Sequence, residues 1–353
     1  CRAVSSCIAV VSLPLRPTLE NMSCPGTSKS SGCDESSGSA PSCRATACLD
    51  TLPELAGALR TNLTLRKITL DHNCISNVGA RELGGHAVVL SPSGGMWPLE
   101  FEDGVVMDGE AEEHVKEAAK VLSRYCDMIG IRAFPKFQNW EEDRKDKILQ
   151  AFAKYADVPV INMETTTHPC QEMAHVMALQ ERFEKDGRGA LDGKKFVLTW
   201  TYHPKPLNTA VANSALMIAA KFGMDVTLLC PQSEYLLDMR YMAQAEQDAK
   251  ANGRHVTVTH DIDEAYKGAD VVYAKSWGAI PFFGNWEEEK PIRDQYRHFI
   301  VDEEKMAKTN NALVSHCLPM RRNVKMTDGV FDSANCIAYE EAENRLHAQQ
   351  ALL

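Results

Sequence analysis

The sequence predicts an α/β protein of two domains, each built on a mainly parallel sheet flanked by helices. Three observations carry that prediction. Apolar runs of five or six residues, rich in valine and leucine, alternate with longer segments of helical period, as expected of strands covered on both faces by crossover helices. The length of 353 residues suits two domains of roughly 150 residues each. A charged, glycine-rich stretch from Glu184 to Gly193 separates two such series.

In chain order, residues 1–50 carry 11 serines and six cysteines with no sustained period. Such a stretch cannot bury enough apolar surface to offset its ordering entropy, so a disordered or non-native extension is expected there. LPELAGALRTNLTLRKITL, from Leu52, reads as a short helix and a strand. Gly85 to Leu90 reads as a short buried strand. VVMDGEAEEHVKEAAKVLSRY follows as a helix, with Ala111, Val115, Ala118, Ala119 and Leu122 near one face. Asp127 to Arg132 and Val158 to Asn162 read as strands, with a helix between Lys136 and Tyr155. His168 to Phe183 is a helix with proline in its first turn. The first domain is thus expected over residues 51–185.

The second domain, over residues 190–335, repeats the rhythm. Strands are expected at Lys195–Trp200, Asp225–Leu229, His255–Thr259, Ala269–Ala274 and in ALVSH. Helices are expected at Asn208–Phe222, Glu234–Ala251 and Ile262–Tyr266. Residues 336–353 form a charged helix long enough to pack back on the first domain.

Composition excludes several classes. The formal charge is -10, which offers nucleic acid or an anionic membrane no global attraction. No apolar run approaches the roughly 18 residues a bilayer needs, and Cys7 to Leu15 is poorly formed as a secretion signal. Of 12 cysteines, the six beyond residue 50 are scattered singly, as in a reducing, cytoplasmic setting. Cys24, Cys33, Cys43 and Cys48 lack zinc-ligand spacing. The chain has no GxGxxG after a strand, no GxxxxGK[ST], no GxSxG and no HExxH.

Ligands in open α/β sheets bind beyond the carboxyl ends of strands. Arg132 follows the first domain's DMIGI run, and Glu164, His168 and Gln171 follow PVINM. Lys275 ends VVYAK, Cys317 to Arg322 follow ALVSH, and Arg345 lies on the last helix. Arginines pair with oxyanions bidentately, a helix start adds free N–H groups, and His and Gln can polarise a carbonyl. The inference is an anionic small substrate, phosphorylated, reacting at a carbonyl. Singly these residues read as surface cations, a helix cap (His168), a buried thiol (Cys317) and a loop aromatic (Trp97). Their convergence is the argument.

The stretches ELGGHAVVL, MWPLEF, VMDGEAEEH, VINMETTTHPCQE, LTWTYHPKPLNTAVANS, AKSWGA, SHCLPMRRNVK and ENRLH resemble the aspartate/ornithine transcarbamylase superfamily, nearest its acetylornithine branch. They run from about Arg81 to His347. The resemblance implies a two-domain subunit in a homotrimer with shared sites, no cofactor, and carbamoyl transfer from carbamoyl phosphate to N-acetylornithine in arginine biosynthesis. Arg132, His168, Gln171 and Arg345 match carbamoyl-phosphate positions, and Trp97 matches a residue lent by a neighbouring subunit. Cys317 and Leu318 match the loop whose backbone contacts the carbamoyl group. Glu164, Lys275 and Arg321 match acetylornithine positions. Glu112 matches a position that favours acetyl over succinyl, and Lys325 a lysine that becomes carboxylated.

One family feature has no counterpart. A Ser-x-Arg-Thr-Arg-Thr phosphate loop is implied after the first strand, where this chain reads LRKITLDHNCISNVGARELGGHA. Losing that cradle should weaken phosphate binding by several kcal/mol. A second reading therefore stays open: an inactive homologue that still binds an acylated amino acid.

Overall fold

A computed structural model of the chain describes residues 6–12, 86–90 and 98–352. The helix and strand expected from Leu52, the phosphate-loop stretch and Trp97 lie outside the described residues. The first series comprises β1 (Ser6–Ser12), β2 (His86–Leu90), β3 (Leu99–Glu100), β4 (Glu113–His114), α1 (Val115–Tyr125), β5 (Met128–Ala133), α2 (Trp140–Asp143), α3 (Lys147–Tyr155), β6 (Val160–Glu164) and α4 (Pro169–Lys185). Its sheet has the order β2-β1-β5-β6. The β5–β6 pair is parallel, whereas β1 runs antiparallel to both β2 and β5.

For residues 6–12 alone, this corrects the expectation of disorder within a disordered or non-native extension over residues 1–50. The run CIAVV carries three β-branched residues, Ile8, Val10 and Val11, which favour extended backbone. It is far too short for a membrane span but long enough for a strand, and a central place gives its backbone groups partners on both edges.

Helix α1 begins at Val115, ten residues later than expected, because Gly104 and Gly109 interrupt the apolar run and leave Val105, Val106 and Met107 exposed. The His114 ring caps the start, its Nδ1 accepting from the Lys116 backbone N–H at 3.1 Å. Val115, Ala118 and Ala119 then pack on Ile129, Ile131 and Phe152. β2 is not the buried strand expected, since Val88 is 52% exposed.

The second series comprises β7 (Lys195–Trp200), α5 (Ala210–Lys221), β8 (Asp225–Leu229), α6 (Met239–Ala251), β9 (Val256–Thr259), α7 (Ile262–Tyr266), β10 (Val271–Lys275), α8 (Trp286–Arg293), α9 (Glu303–Met306), β11 (Leu313–Ser315), α10 (Asp328–Phe331) and α11 (Ala338–Leu352). All pairings in its five-stranded sheet, ordered β11-β10-β7-β8-β9, are parallel. The chain runs outward from β7 to β9, then returns to β10 on the other side. Such a reversal opens a crevice beyond the carboxyl ends of β7 and β10.

Two features aim the sheets at one place. Helix α4 joins Cys170, Met173, Leu179 and Phe183 to the core of the second sheet, and α11 packs along α4. A joint of Phe137, Trp140, Phe283 and Trp286 links the series, with ring centroids 5.0 to 6.1 Å apart. Its polar ends are satisfied: Trp140 Nε1 donates to Asp238 at 2.6 Å, and Trp286 Nε1 to the Phe137 carbonyl at 2.9 Å.

Candidate active site

The carboxyl ends of β5, β6 and β10, the start of α4 and the loop after β11 converge on a cleft of about 180 Å³. Eight of the residues singled out from the sequence line it: Arg132, Glu164, His168, Gln171, Lys275, Cys317, Leu318 and Arg345. Met163, Val211 and Pro319 complete the wall.

Arg132 reaches the cleft because the β5–β6 register slips after Ile131, which sets Arg132 opposite Glu164 rather than Met163. A bulge re-aims side chains in this way next to many sites. Arg132 Nε and Nη2 both donate to Glu164 Oε2, at 3.2 and 2.9 Å, and the guanidinium lies 4.5 Å from the centroid of the Phe134 ring. The acid thus orients the guanidinium without consuming all its donors.

His168 precedes Pro169, the first residue of α4, and its backbone N–H donates to Ser214 Oγ at 2.8 Å. Burial, then the charges of Arg345, Arg132 and Lys275, hold its imidazole well below the usual histidine range. The ring is neutral, so its Nε2, 3.8 Å from Glu164 Oε2, makes a polar contact and not an ion pair. Its Nδ1 is buried without a partner among the described residues, as is Nε of Arg345. Unpartnered polar atoms are costly to bury, and here they flank a cleft that sets Arg132, Lys275 and Arg345 against one carboxylate, Glu164. That arrangement suits a dianion with a carbonyl attached.

The loop after β11 is held from behind. Leu318 sits in the left-handed region at φ 38°, and its N–H donates to the His316 carbonyl at 2.9 Å and to His316 Nδ1 at 3.0 Å. Burial pushes the Cys317 thiol up, so it stays protonated and contributes backbone and volume rather than a thiolate nucleophile.

Three residues from the sequence reading lie elsewhere, and a fourth is not described. Arg321 is exposed, and its Nε donates to His203 Nε2 at 3.1 Å. His203, pushed down to about 4 chiefly by burial, is neutral, with Nδ1 2.7 Å from the Lys205 carbonyl. Lys325 is buried behind the cleft wall, its Nζ 3.0 Å from His316 Nε2. Burial and the neighbouring Lys275 push the Lys325 ammonium down to about 7. Glu112 is exposed and does not line the cleft, and Trp97 lies outside the described residues. His203 and His316, which brace Arg321 and Lys325, were not singled out in the sequence. Both sit beside quoted motifs, but nothing in a linear pattern shows which ring nitrogen meets which partner.

Comparison with known proteins agrees with this geometry. The model for the carbamoyl-P binding domain of aspartate/ornithine carbamoyltransferase matches residues 73–181, and the model for its Asp/Orn binding domain matches 198–353. N-acetylornithine carbamoyltransferase of Xanthomonas axonopodis pv. citri is 68% identical over 276 residues, 78% of this chain and 80% of that protein. N-succinylornithine carbamoyltransferase of Bacteroides fragilis is 36% identical over 289 residues, 82% of this chain and 80% of that protein. A crystal structure of acetylornithine transcarbamylase complexed with acetylcitrulline superposes with a TM-score of 0.80 at 61% identity, covering 86% of this chain and 94% of that one. With both halves matched and the cleft assembled between them, the chain belongs to the aspartate/ornithine carbamoyltransferase family.

Proposed function

We propose that the chain is an N-acetylornithine carbamoyltransferase of arginine biosynthesis. It moves the carbamoyl group of carbamoyl phosphate to the δ-amine of N-acetylornithine, giving N-acetylcitrulline and phosphate. The observation that carries the proposal is the cleft, where Arg132, Lys275 and Arg345 surround neutral His168 and Gln171. The 68% identity to an enzyme of that name supports the choice of acceptor.

The neutral δ-amine forms the new N–C bond, the bond between carbon and the phosphate oxygen breaks, and phosphate departs with its electron pair and takes up the proton that the amine releases. Arg132 and Arg345 hold the phosphate, while His168 and the Arg132 guanidinium polarise the carbonyl. The Cys317–Leu318 backbone contacts the carbamoyl group. Glu164 and Lys275 hold the acylated amino acid from the cleft wall and Arg321 from outside it, and the blocked α-amine removes a competing nucleophile. Catalysis then rests on positioning and on charge stabilisation. Carbamoyl phosphate would occupy residues 51–185, acetylornithine 190–335, and residues 336–353 would return to the first part.

Lys325 carboxylation fits its surroundings. Because His316 Nδ1 accepts from Leu318, a neutral His316 carries its proton on Nε2, facing Lys325 Nζ. An ammonium would set donor against donor, whereas a neutral amine or a carbamate oxygen accepts. A neutral amine is also the form that reacts with carbon dioxide.

The homotrimer is supported by Glu112. Exposed and outside this chain's own cleft, it can select the acyl group only in the cleft of another copy, and it shares a segment with exposed Val105, Val106 and Met107. A reducing, cytoplasmic setting fits Cys126, Cys170, Cys230, Cys317 and Cys336, which form no disulfide among the described residues. No helix among the described residues is long and apolar enough to cross a membrane.

A colorimetric assay for the ureido product tests the proposal, with N-acetylornithine, N-succinylornithine and ornithine in parallel. Product from N-acetylornithine alone is expected. Absence of product from folded protein that still binds N-acetylornithine would favour the inactive homologue, which the missing phosphate loop makes the second reading.

A further inference from the structure

Behind the cleft lies a group of buried polar side chains that no step above uses. Glu341, near the start of α11, is fully buried. Its Oε1 accepts from the Gln171 side-chain Nε2 and, at 3.0 Å, from the Tyr273 hydroxyl, while its Oε2 accepts from Ser315 Oγ. The three donors come from α4, β10 and β11, and each is itself buried. Tyr273 also lies 3.3 Å from Glu172, the remaining carboxyl of the group.

An amide offers donors at one end and an acceptor at the other. With Nε2 held by Glu341, Gln171 has its carbonyl oxygen left for the cleft it lines. We infer that Glu341 is a positioning residue, which holds Gln171 with that oxygen turned toward the NH2 group of the carbamoyl donor. The inference rests on the carbamoyl-transfer reading of the cleft. If Gln171 were flipped, its NH2 would meet the substrate NH2 and its oxygen would face the Glu341 carboxylate, leaving a buried amide without partners at either end. Arg345 lies one turn further along α11, so a single helix delivers both the anchor for Gln171 and a phosphate ligand.

The test compares E341Q with E341L. Glutamine keeps an acceptor for Gln171 and should retain kcat/KM for carbamoyl phosphate to within a few-fold. Leucine should lower it by roughly tenfold to a hundredfold, with the KM for N-acetylornithine unchanged. In a double-mutant cycle, Q171L/E341L should be no worse than Q171L, because Glu341 acts only through Gln171. Additive losses, or an E341Q as impaired as E341L, would overturn the inference. A second readout needs no turnover. In protein labelled with ¹⁵N-glutamine, the Gln171 side-chain NH2 should be protected from solvent exchange in the wild type and E341Q and exposed in folded E341L. Unchanged protection in E341L would likewise overturn it. If the wild type makes no product, the carbamoyl-transfer reading fails while the exchange experiment still decides the role of Glu341.

Discussion

Glu172 follows Gln171 in the sequence yet belongs to the core, fully buried between Tyr273, 3.3 Å from its Oε1, and His175, 3.5 Å from its Oε2. Burial, opposed in part by Tyr273, Lys275 and Arg345, pushes its carboxyl up to about 8. Between its ordinary value of 4.5 and 8 the folded chain therefore keeps a proton that the unfolded chain releases. Stability should fall as pH rises through that window, by up to about 1.4 kcal/mol per pH unit. E172Q, neutral at every pH, should flatten the decline, and urea midpoints at pH 5, 6, 7 and 8 would show it; an unchanged slope would contradict the assignment. This residue also marks where sequence reading stops. Arg132, His168 and Lys275 were legible because they stand at strand or helix ends, and Arg345 through the motif ENRLH in mid-helix. The roles of Glu172, Glu341 and His316 depend on partners up to 170 positions away, and no local period encodes those.

The strands and helices divide in the same way. Lys195–Trp200, Asp225–Leu229 and Ile262–Tyr266 emerge as expected to the residue: the two strands are apolar runs bounded by charge or glycine, and the helix is started by the Asp261 carboxylate, which accepts from the Asp263 and Glu264 N–H groups. Helices α8, α9 and α10 were missed, being four to eight residues long and fixed by tertiary contacts. In α8, buried Glu289 pairs with Arg293 and accepts from the Tyr235 hydroxyl at 2.8 Å. Removing one partner strands a buried charge, so E289A should cost about 3 to 5 kcal/mol in chemical denaturation, and a loss below 1 kcal/mol would refute this view of α8. The turn before α8 depends on Gly284, at φ 89°, where an added Cβ would lie 2.7 Å from the Gln138 carbonyl oxygen. G284A should destabilise by about 1 to 3 kcal/mol and, through the Phe137–Trp286 joint, disturb how the two sheets face each other. Retained stability with unaltered KM values would show the joint to be slack.

At the scale of the whole molecule, the two-sheet architecture was legible from the strand–helix rhythm, but the antiparallel place of Ser6–Ser12 was not. Its apolar run is short and sits in polar surroundings, so only pairing with distant strands distinguishes it from a loop. The assembly leaves a clearer prediction. Val106 is 78% exposed, beside Val105 and Met107, more apolar surface than an isolated subunit needs to show. If the proposed trimer forms, V106E should leave the subunit folded and shift its light-scattering mass from trimer to monomer, with loss of turnover. A monomeric, active wild type would refute the shared site.

Carbamoyl transfer in the cleft is the central claim, and the most direct measurement follows the carbamoyl carbon itself. Protein incubated with ¹³C-carbamoyl phosphate and N-acetylornithine should move the label into the ureido carbon of N-acetylcitrulline. H168A, which loses a donor to the developing oxyanion, should be slower by about 10²- to 10³-fold. Label that remains in carbamoyl phosphate, or appears only in its hydrolysis products, in the presence of folded protein would contradict the account.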